Sequence, residues 1–329
     1  MESGSGLKFQ HTFRAHHRFK IFQNLLMSTL IEPATLRSIP LRRYSDDDSK
    51  SERGKLLLVA GSARLFGAAI LGARAALRCG CGTVRVALPQ SVAAAVGTVV
   101  PEAMVLPLPE TSQGTLALAA LDGLRAQFEP CDAAVIGPGM DEDEETTELI
   151  RQLAIELPLP CVLDASAIAA LAKQACGADK AARVWTPHSG ELTTLTDTEV
   201  DTVEDREEFA TTWSRDNKAV LVWKGRETLI AAPSGEIWKN TAGSKGLGTA
   251  GSGDVLAGAL GSLLAQGMAA AHAATWAVHL HALAGEAASE GLGDDGLMAS
   301  DVVNRLPQVI KYLRKATEKV EAKTGFRRD

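Results

Sequence analysis

From Lys55 to about Ala265 the chain repeats one pattern: a short unbroken apolar run, a turn containing glycine, then a stretch with helical spacing. "KLLLVAGS" opens it and "GAAILGARAALRCG" supplies the first helix. "GTVRVALP", "CDAAVIGPGM", "PCVLDASAIAALAKQ" and "ARVWTPHSGELTTL" repeat the theme. Runs that are apolar at every position have no wet face, so they belong in a sheet covered on both sides. Alternation with helices makes that sheet mostly parallel. The expected architecture is α/β, a mostly parallel central sheet with helices on both faces. "DEDEETTELIRQLAIEL" is expected as a helix with acids in its first turn, where the helix dipole favours them. "KAVLVWKGRETLIAAPSGEIWKN" departs from the pattern and reads as a strand, a turn and a hairpin. The last third, rich in alanine and glycine, reads as mostly helical.

With 329 residues, 46% of them hydrophobic, the chain can bury a sizeable core. No internal linker is evident, so residues 51–329 read as one domain. Residues 1–50 read as an extension outside it, either disordered or not part of the native chain. They contain the basic "KFQHTFRAHHRFKIFQNLLM" and the charged "YSDDDSKSERGK". Met27 offers a second start, and a basic, acid-poor segment also suits an organelle presequence. About 50 residues are too few for a further domain of ordinary size.

A net charge of −6 and a pI near 5.7 argue against nucleic acid as a partner. Aromatic residues are only 5%, too few for a base-stacking surface. No stretch reaches the roughly 18 apolar residues of a membrane span. Of the five cysteines only Cys79 and Cys81 are close, and their spacing is not a usual zinc spacing. They read as reduced, mostly buried residues of a cytoplasmic protein.

In a parallel sheet, ligands bind beyond the carboxyl ends of the strands. The polar residues expected there are Ser62, Asp164, Thr186, His188, Glu191, Lys224, Thr228 and Asp254. One carboxylate, Asp254, stands in "GTAGSGDVLAGAL", among the least encumbered backbone of the chain. Gly251, Ser252 and Gly253 would present N–H groups at a helix start, an arrangement suited to phosphate. An acid there opposes anion binding unless it takes a proton from a hydroxyl attacking that phosphate. The competing reading makes Asp254 an N-cap. Gly246-x-Gly248-x-x-Gly251 matches the dinucleotide fingerprint only formally, since no acid follows about twenty residues on. The Walker phosphate loop is absent. His279 and His281 lie two apart on a helix, on different faces, which disfavours a shared metal.

"VAGSARLFGAAILGARAALRCGCG", "PEAM", "VIGPGM", "VLDASAI", "TPHSGE", "WKGRET" and "GTAGSGDVLAGALGSLLAQG" occur in that order, followed by "HLHALAGEAASE" and "GLMASDVVNRLP". This succession resembles the ADP-dependent NAD(P)H-hydrate dehydratase family of the ribokinase-like superfamily, over residues 54–307. The resemblance implies repair of hydrated NADH or NADPH (NADHX, NADPHX). The nicotinamide C6 hydroxyl is phosphorylated from ADP and phosphate is eliminated, leaving AMP. It places Ala68, Gly139, His188 and Asp254 on the hydrated cofactor. It places Lys224, Gly225, Arg226, Glu227 and Thr228, with Gly253, on the adenine nucleotide. Asp254 becomes the base, Gly251 to Gly253 the anion hole, Mg²⁺ the counter-charge, and a homo-oligomer, commonly a tetramer, the assembly. Three positions depart from the family pattern: Asp141 replaces the last glycine of GPGLG, Ser252 replaces threonine or methionine, and Ser244 replaces asparagine. Two other readings stay open at this stage. One is an ATP-dependent hydroxymethylpyrimidine or hydroxyethylthiazole kinase of the same superfamily. The other is an inactive nucleotide-binding regulator.

Overall fold

The computed structural model describes residues 28–45, 49–50, 52–172, 180–202 and 205–318. His16, His17, Met27 and Cys176 lie outside the described residues. The chain begins with β1 (Thr29–Leu30) and α1 (Pro33–Arg37). Next come β2 (Lys55–Val59), α2 (Phe66–Arg78), β3 (Thr83–Pro89), α3 (Gln90–Val99) and β4 (Met104–Leu108). The middle holds α4 (Leu121–Arg125), β5 (Ala133–Ile136), α5 (Glu144–Glu156), β6 (Cys161–Leu163), α6 (Ser166–Ala170) and β7 (Arg183–Trp185). Then follow α7 (Ser189–Thr196), α8 (Arg206–Asp216), β8 (Val220–Trp223), β9 (Thr228–Ala231) and β10 (Ile237–Asn240). The chain closes on α9 (Ser252–Ala265), α10 (Ala270–Leu292) and α11 (Ala299–Glu318).

The ten strands form one sheet in the order β1-β10-β9-β8-β7-β6-β5-β2-β3-β4. Six neighbouring pairs from β4 through β8 are parallel; β8–β9 and β9–β10 are antiparallel, as the expected hairpin requires. Side chains alternate between faces along each strand. Leu56 and Leu58 therefore pack under α2, α9 and α10, and Leu57 and Val59 under α5 and its neighbours. All four are fully buried, each contributing about 1.5–3 kcal/mol by leaving water. This two-sided burial is why the strands carry no polar alternation. Asp143 caps α5, accepting from the N–H groups of Glu145 and Thr146, and Glu144 and Glu145 fill its first turn.

Part of the stretch expected outside the domain packs against it. β1 pairs with β10, and Ile31 and Leu36 are buried in the core under α11. Ser28 Oγ donates to Glu207 Oε1 at 2.7 Å, and Trp276 Nε1 donates to the Ile39 carbonyl at 2.6 Å. A two-residue strand and a five-residue helix are too short to show a period, so this packing left no pattern to read. Cys79, Cys81, Cys131 and Cys161 are buried thiols, and burial pushes the first up to about 12 and the next two to about 11. Among the described residues, no helix is long and apolar enough to cross a membrane.

After β2 the chain runs outward through β3 and β4, then returns to place β5 on the other side of β2. That reversal opens a crevice at the carboxyl ends of β2 and β5.

Candidate active site

Two loops meet in the crevice. The Gly61 N–H donates to the Pro138 carbonyl at 2.8 Å, tying the turn after β2 to the turn after β5. Gly139 has φ +65°, and a Cβ there would lie 2.6 Å from the Ala68 methyl. Ala68 and Gly139, assigned to one ligand by resemblance, are thus brought together. Asp141 turns to the loop after β2. It accepts from Ser62 Oγ at 2.9 Å and from two nitrogens of the Arg64 guanidinium, at 2.9 and 3.1 Å. Those bonds hold its carboxyl below the usual range, Arg64 foremost, and lock the two loops as a pair.

The start of α9 packs beside α2 and the turn after β6. Gly251 is its N-cap, with φ +84°, a left-handed conformation suited to glycine. Asp254 is the third residue of the helix, so the N-cap reading is corrected: the turn needs its left-handed residue at Gly251. The N–H groups of Gly253 and Asp254 have no acceptor within the helix. That of Ser252 makes a long 3.4 Å bond to the Thr249 carbonyl. The Ser252 hydroxyl turns into the core, 3.0 Å from His281 Nε2. Burial drives the His281 pKa down to about 4, so the ring is neutral. His279 pairs separately with Asn240 Oδ1 at 2.9 Å.

Asp254 is largely enclosed, and its pKa rises from 3.8 to about 7. Burial is the main cause, the Asp164 carboxylate adds to it, and Lys224 opposes it. A base tuned near neutrality is well matched to proton transfer from a hydroxyl. Lys224 leaves the end of β8 and brings Nζ to 3.0 Å from Asp164 Oδ1 and 3.6 Å from Glu191 Oε2. Burial works against its charge, but the two carboxylates outweigh that and hold its pKa above the ordinary value. A Cβ on Gly253 would lie 3.7 Å from Lys224 Nζ and 3.9 Å from Asp164 Oδ2. The ammonium and the carboxylate therefore both reach the first turn of α9.

The turns carrying His188 and Lys224, which the resemblance assigns to different ligands, lie side by side. His188 and Lys224 form a parallel backbone bridge, and the Lys224 N–H donates to the Pro187 carbonyl at 2.8 Å. His188 also caps α7. Its Nδ1 accepts from the Glu191 N–H at 3.2 Å, while Glu191 Oε2 accepts from the His188 N–H at 2.8 Å. Glu191 thus touches both turns. Thr228 Oγ1 closes the next turn by donating to the Gly225 carbonyl at 3.1 Å. Arg226 is exposed, and Glu227 is exposed with Oε2 3.9 Å from Lys239 Nζ on β10. Asp164 received no role in the sequence reading, although its place after a strand marked it as a site position. Among the described residues, no group of three or more His, Cys, Asp or Glu side chains is placed to hold a metal ion.

A family model described as NAD(P)H-hydrate dehydratase matches residues 56–308. The chain belongs to the NAD(P)H-hydrate dehydratase family. It is 38% identical over 303 residues to a bifunctional NAD(P)H-hydrate repair enzyme of Moorella thermoacetica, covering 91% of this chain and 57% of that one. It is 36% identical over 284 residues to an ADP-dependent (S)-NAD(P)H-hydrate dehydratase of Xanthomonas campestris pv. campestris, covering 86% and 96%. The crystal structure of an ADP/ATP-dependent NAD(P)H-hydrate dehydratase from Bacillus subtilis, co-crystallized with ATP and Mg²⁺, superimposes with a TM-score of 0.75 at 27% identity, covering 87% of this chain and 99% of that one. This chain spans 57% and 59% of the length of two bifunctional relatives it matches. The expected ribokinase-like fold holds in this dehydratase-family member, and every proposed site residue falls inside the matched stretch. The kinase reading is set aside because the matched family is the dehydratase rather than a vitamin-precursor kinase.

Proposed function

We propose that this chain dehydrates NADHX or NADPHX to the reduced cofactor at the expense of ADP, releasing AMP and phosphate. The observation that carries the reading is Asp254: a largely enclosed carboxyl in the first turn of α9, where the Lys224 ammonium also reaches. In this reading Asp254 takes the proton of the C6 hydroxyl as its oxygen attacks the β-phosphorus of ADP. AMP leaves. The C6–O bond then breaks, phosphate departs and C5 loses a proton, which restores the ring double bond. The N–H groups of Gly253 and Asp254, with Lys224, offset charge on the transferring phosphoryl group. Among the described residues no cluster of His, Cys, Asp or Glu side chains is placed to cage a metal. Mg²⁺, when bound, would be carried by the nucleotide phosphates, the usual mode for this small hard cation, and would offset their charge.

The B. subtilis structure, crystallized with ATP and Mg²⁺, supports use of an adenine nucleotide and that ion. We place the protein in the cytoplasm as a homo-oligomer, a tetramer by resemblance; sedimentation returning a monomer overturns the assembly. The function is tested by incubating hydrated NADH with ADP and the protein. Recovery of absorbance in the reduced-nicotinamide band is expected. Phosphorylated product without recovery would make the chain a kinase, and no turnover would make it a regulator.

A further inference from the structure

We infer that Asp164 is a positioning residue of this reaction, holding the Lys224 ammonium against the first turn of α9 where the transferred phosphate would lie. The inference rests on the function proposed above.

Five observations carry it. The Asp164 carboxylate is 2% exposed, and Oδ1 accepts from both Thr186 Oγ1, at 2.7 Å, and Lys224 Nζ, at 3.0 Å. A buried carboxylate persists only when paired in this way. Oδ2 looks toward Gly253. The next residue, Ala165, has φ +48° and ψ −117°, a conformation that non-glycine residues avoid. Such strain persists only where surrounding bonds over-determine it. Here the Asp164 N–H donates to the Ile136 carbonyl at 3.1 Å, and the Asp164 carbonyl accepts from the Ala167 N–H at 3.1 Å. Gly137 leaves room for that same carbonyl, which a Cβ would strike.

Lysine needs such an anchor. Its ammonium is a point charge on a flexible stem, without the fixed fork of arginine. Glu191, at 3.6 Å, is the weaker tether and itself serves His188. The charged groups facing Asp254 are Asp164 from the turn after β6 and Lys224 from the end of β8, with Glu191 of α7 behind the lysine.

The test uses the full chain, hydrated NADH and ADP, with ADP affinity measured separately by calorimetry. Asp164→Asn keeps the size and the Thr186 bond but removes the charge. It should lower kcat about 10- to 100-fold, the scale expected when a catalytic group is misplaced by about an ångström. The ADP affinity should hold or tighten, because a negative charge beside the phosphate is gone. The acid limb of the pH profile should move down, because Asp254 loses a like-charged neighbour. A merely structural Asp164 would not split kcat from ADP affinity in this way, whereas the limb moves with the charge alone. If Asp164→Asn does not fold, Thr186→Val keeps every charge and removes the hydroxyl that aims Oδ1. It should lower kcat by roughly three- to tenfold with ADP affinity retained. Turnover within twofold of wild type overturns the inference, whatever the acid limb does. A wild-type chain that fails to restore the nicotinamide band overturns the functional reading and this inference with it, so the two failures are distinct.

Discussion

Replacing Asp254 by asparagine should make the protein more stable and far less active, and the stability gain should depend on pH. The native carboxyl titrates near 7 against 3.8 when freely solvated. Between those values the folded chain holds a proton that the unfolded chain has released. Native stability therefore falls as pH rises through that window. Each unit is about 1.4 kcal/mol, so the whole displacement sets a ceiling of about 4 kcal/mol. Water entry and relaxation around the bared charge reduce this to about 1–3 kcal/mol. Asparagine is neutral throughout and escapes the loss. The two proteins should match closely near pH 4 and diverge by pH 8, with Asp254→Asn the more stable. Were Asp254 a helix cap, the same change would be worth less than about 1 kcal/mol at any pH, since Asn caps as well as Asp.

The assay is urea denaturation of both proteins at pH 4 and pH 8, without nucleotide, beside steady-state turnover. Loss of a positioned base should lower kcat by about 10²–10⁴-fold. Equal stabilities at the two pH values would show that Asp254 is not held in a desolvated setting. Near-normal turnover would refute its role as base whatever the stabilities.

Wild-type kcat/KM should fall on the acid side with a midpoint near 7, because Asp254 must lose its proton to act; a plateau down to pH 5 would contradict this. His188→Ala removes the α7 cap and frees Glu191 beside Lys224, so KM should rise for both hydrated cofactor and ADP, and a rise for the cofactor alone would show that the two turns act separately. Asp141→Gly releases Arg64 and should raise KM for the hydrated cofactor while leaving that for ADP alone; an unchanged cofactor KM would show that the tie between the loops is incidental. Leu36→Ala leaves a cavity under α11 and should cost about 2–4 kcal/mol in chemical denaturation, whereas a loss below 0.5 kcal/mol, roughly that of a surface change, would mean that α1 does not belong to the core.

What could be read from the chain, and what could not, divides by range. The strands of the sheet were legible because full burial on two faces leaves an unbroken apolar run, as at Leu56–Val59. The start of α9 was legible for the same local reason. A left-handed glycine, small neighbours and an apolar helix occupy one short segment, and each leaves its mark on residue type. The N-terminal strand and helix carry no such mark, since their burial is supplied by β10 and α11 far along the chain.

The charge state of the site is equally non-local. Asp254 is abnormal because the fold delivers Asp164 and Lys224 to its helix start, and no spacing in the segment around Asp254 encodes either. The same holds for the joining of His188 and Lys224. Their turns look independent until β7 and β8 are set side by side, whereupon Glu191 belongs to both. A motif near Asp254 can therefore name a candidate base, but only the strand order decides whether that base is neutral or charged when a phosphate arrives. A substitution at Asp164 should for that reason change the behaviour of Asp254 more than any change among the glycines' immediate apolar neighbours in α9, such as Val255→Ile, which alters volume and leaves the facing charges where they are.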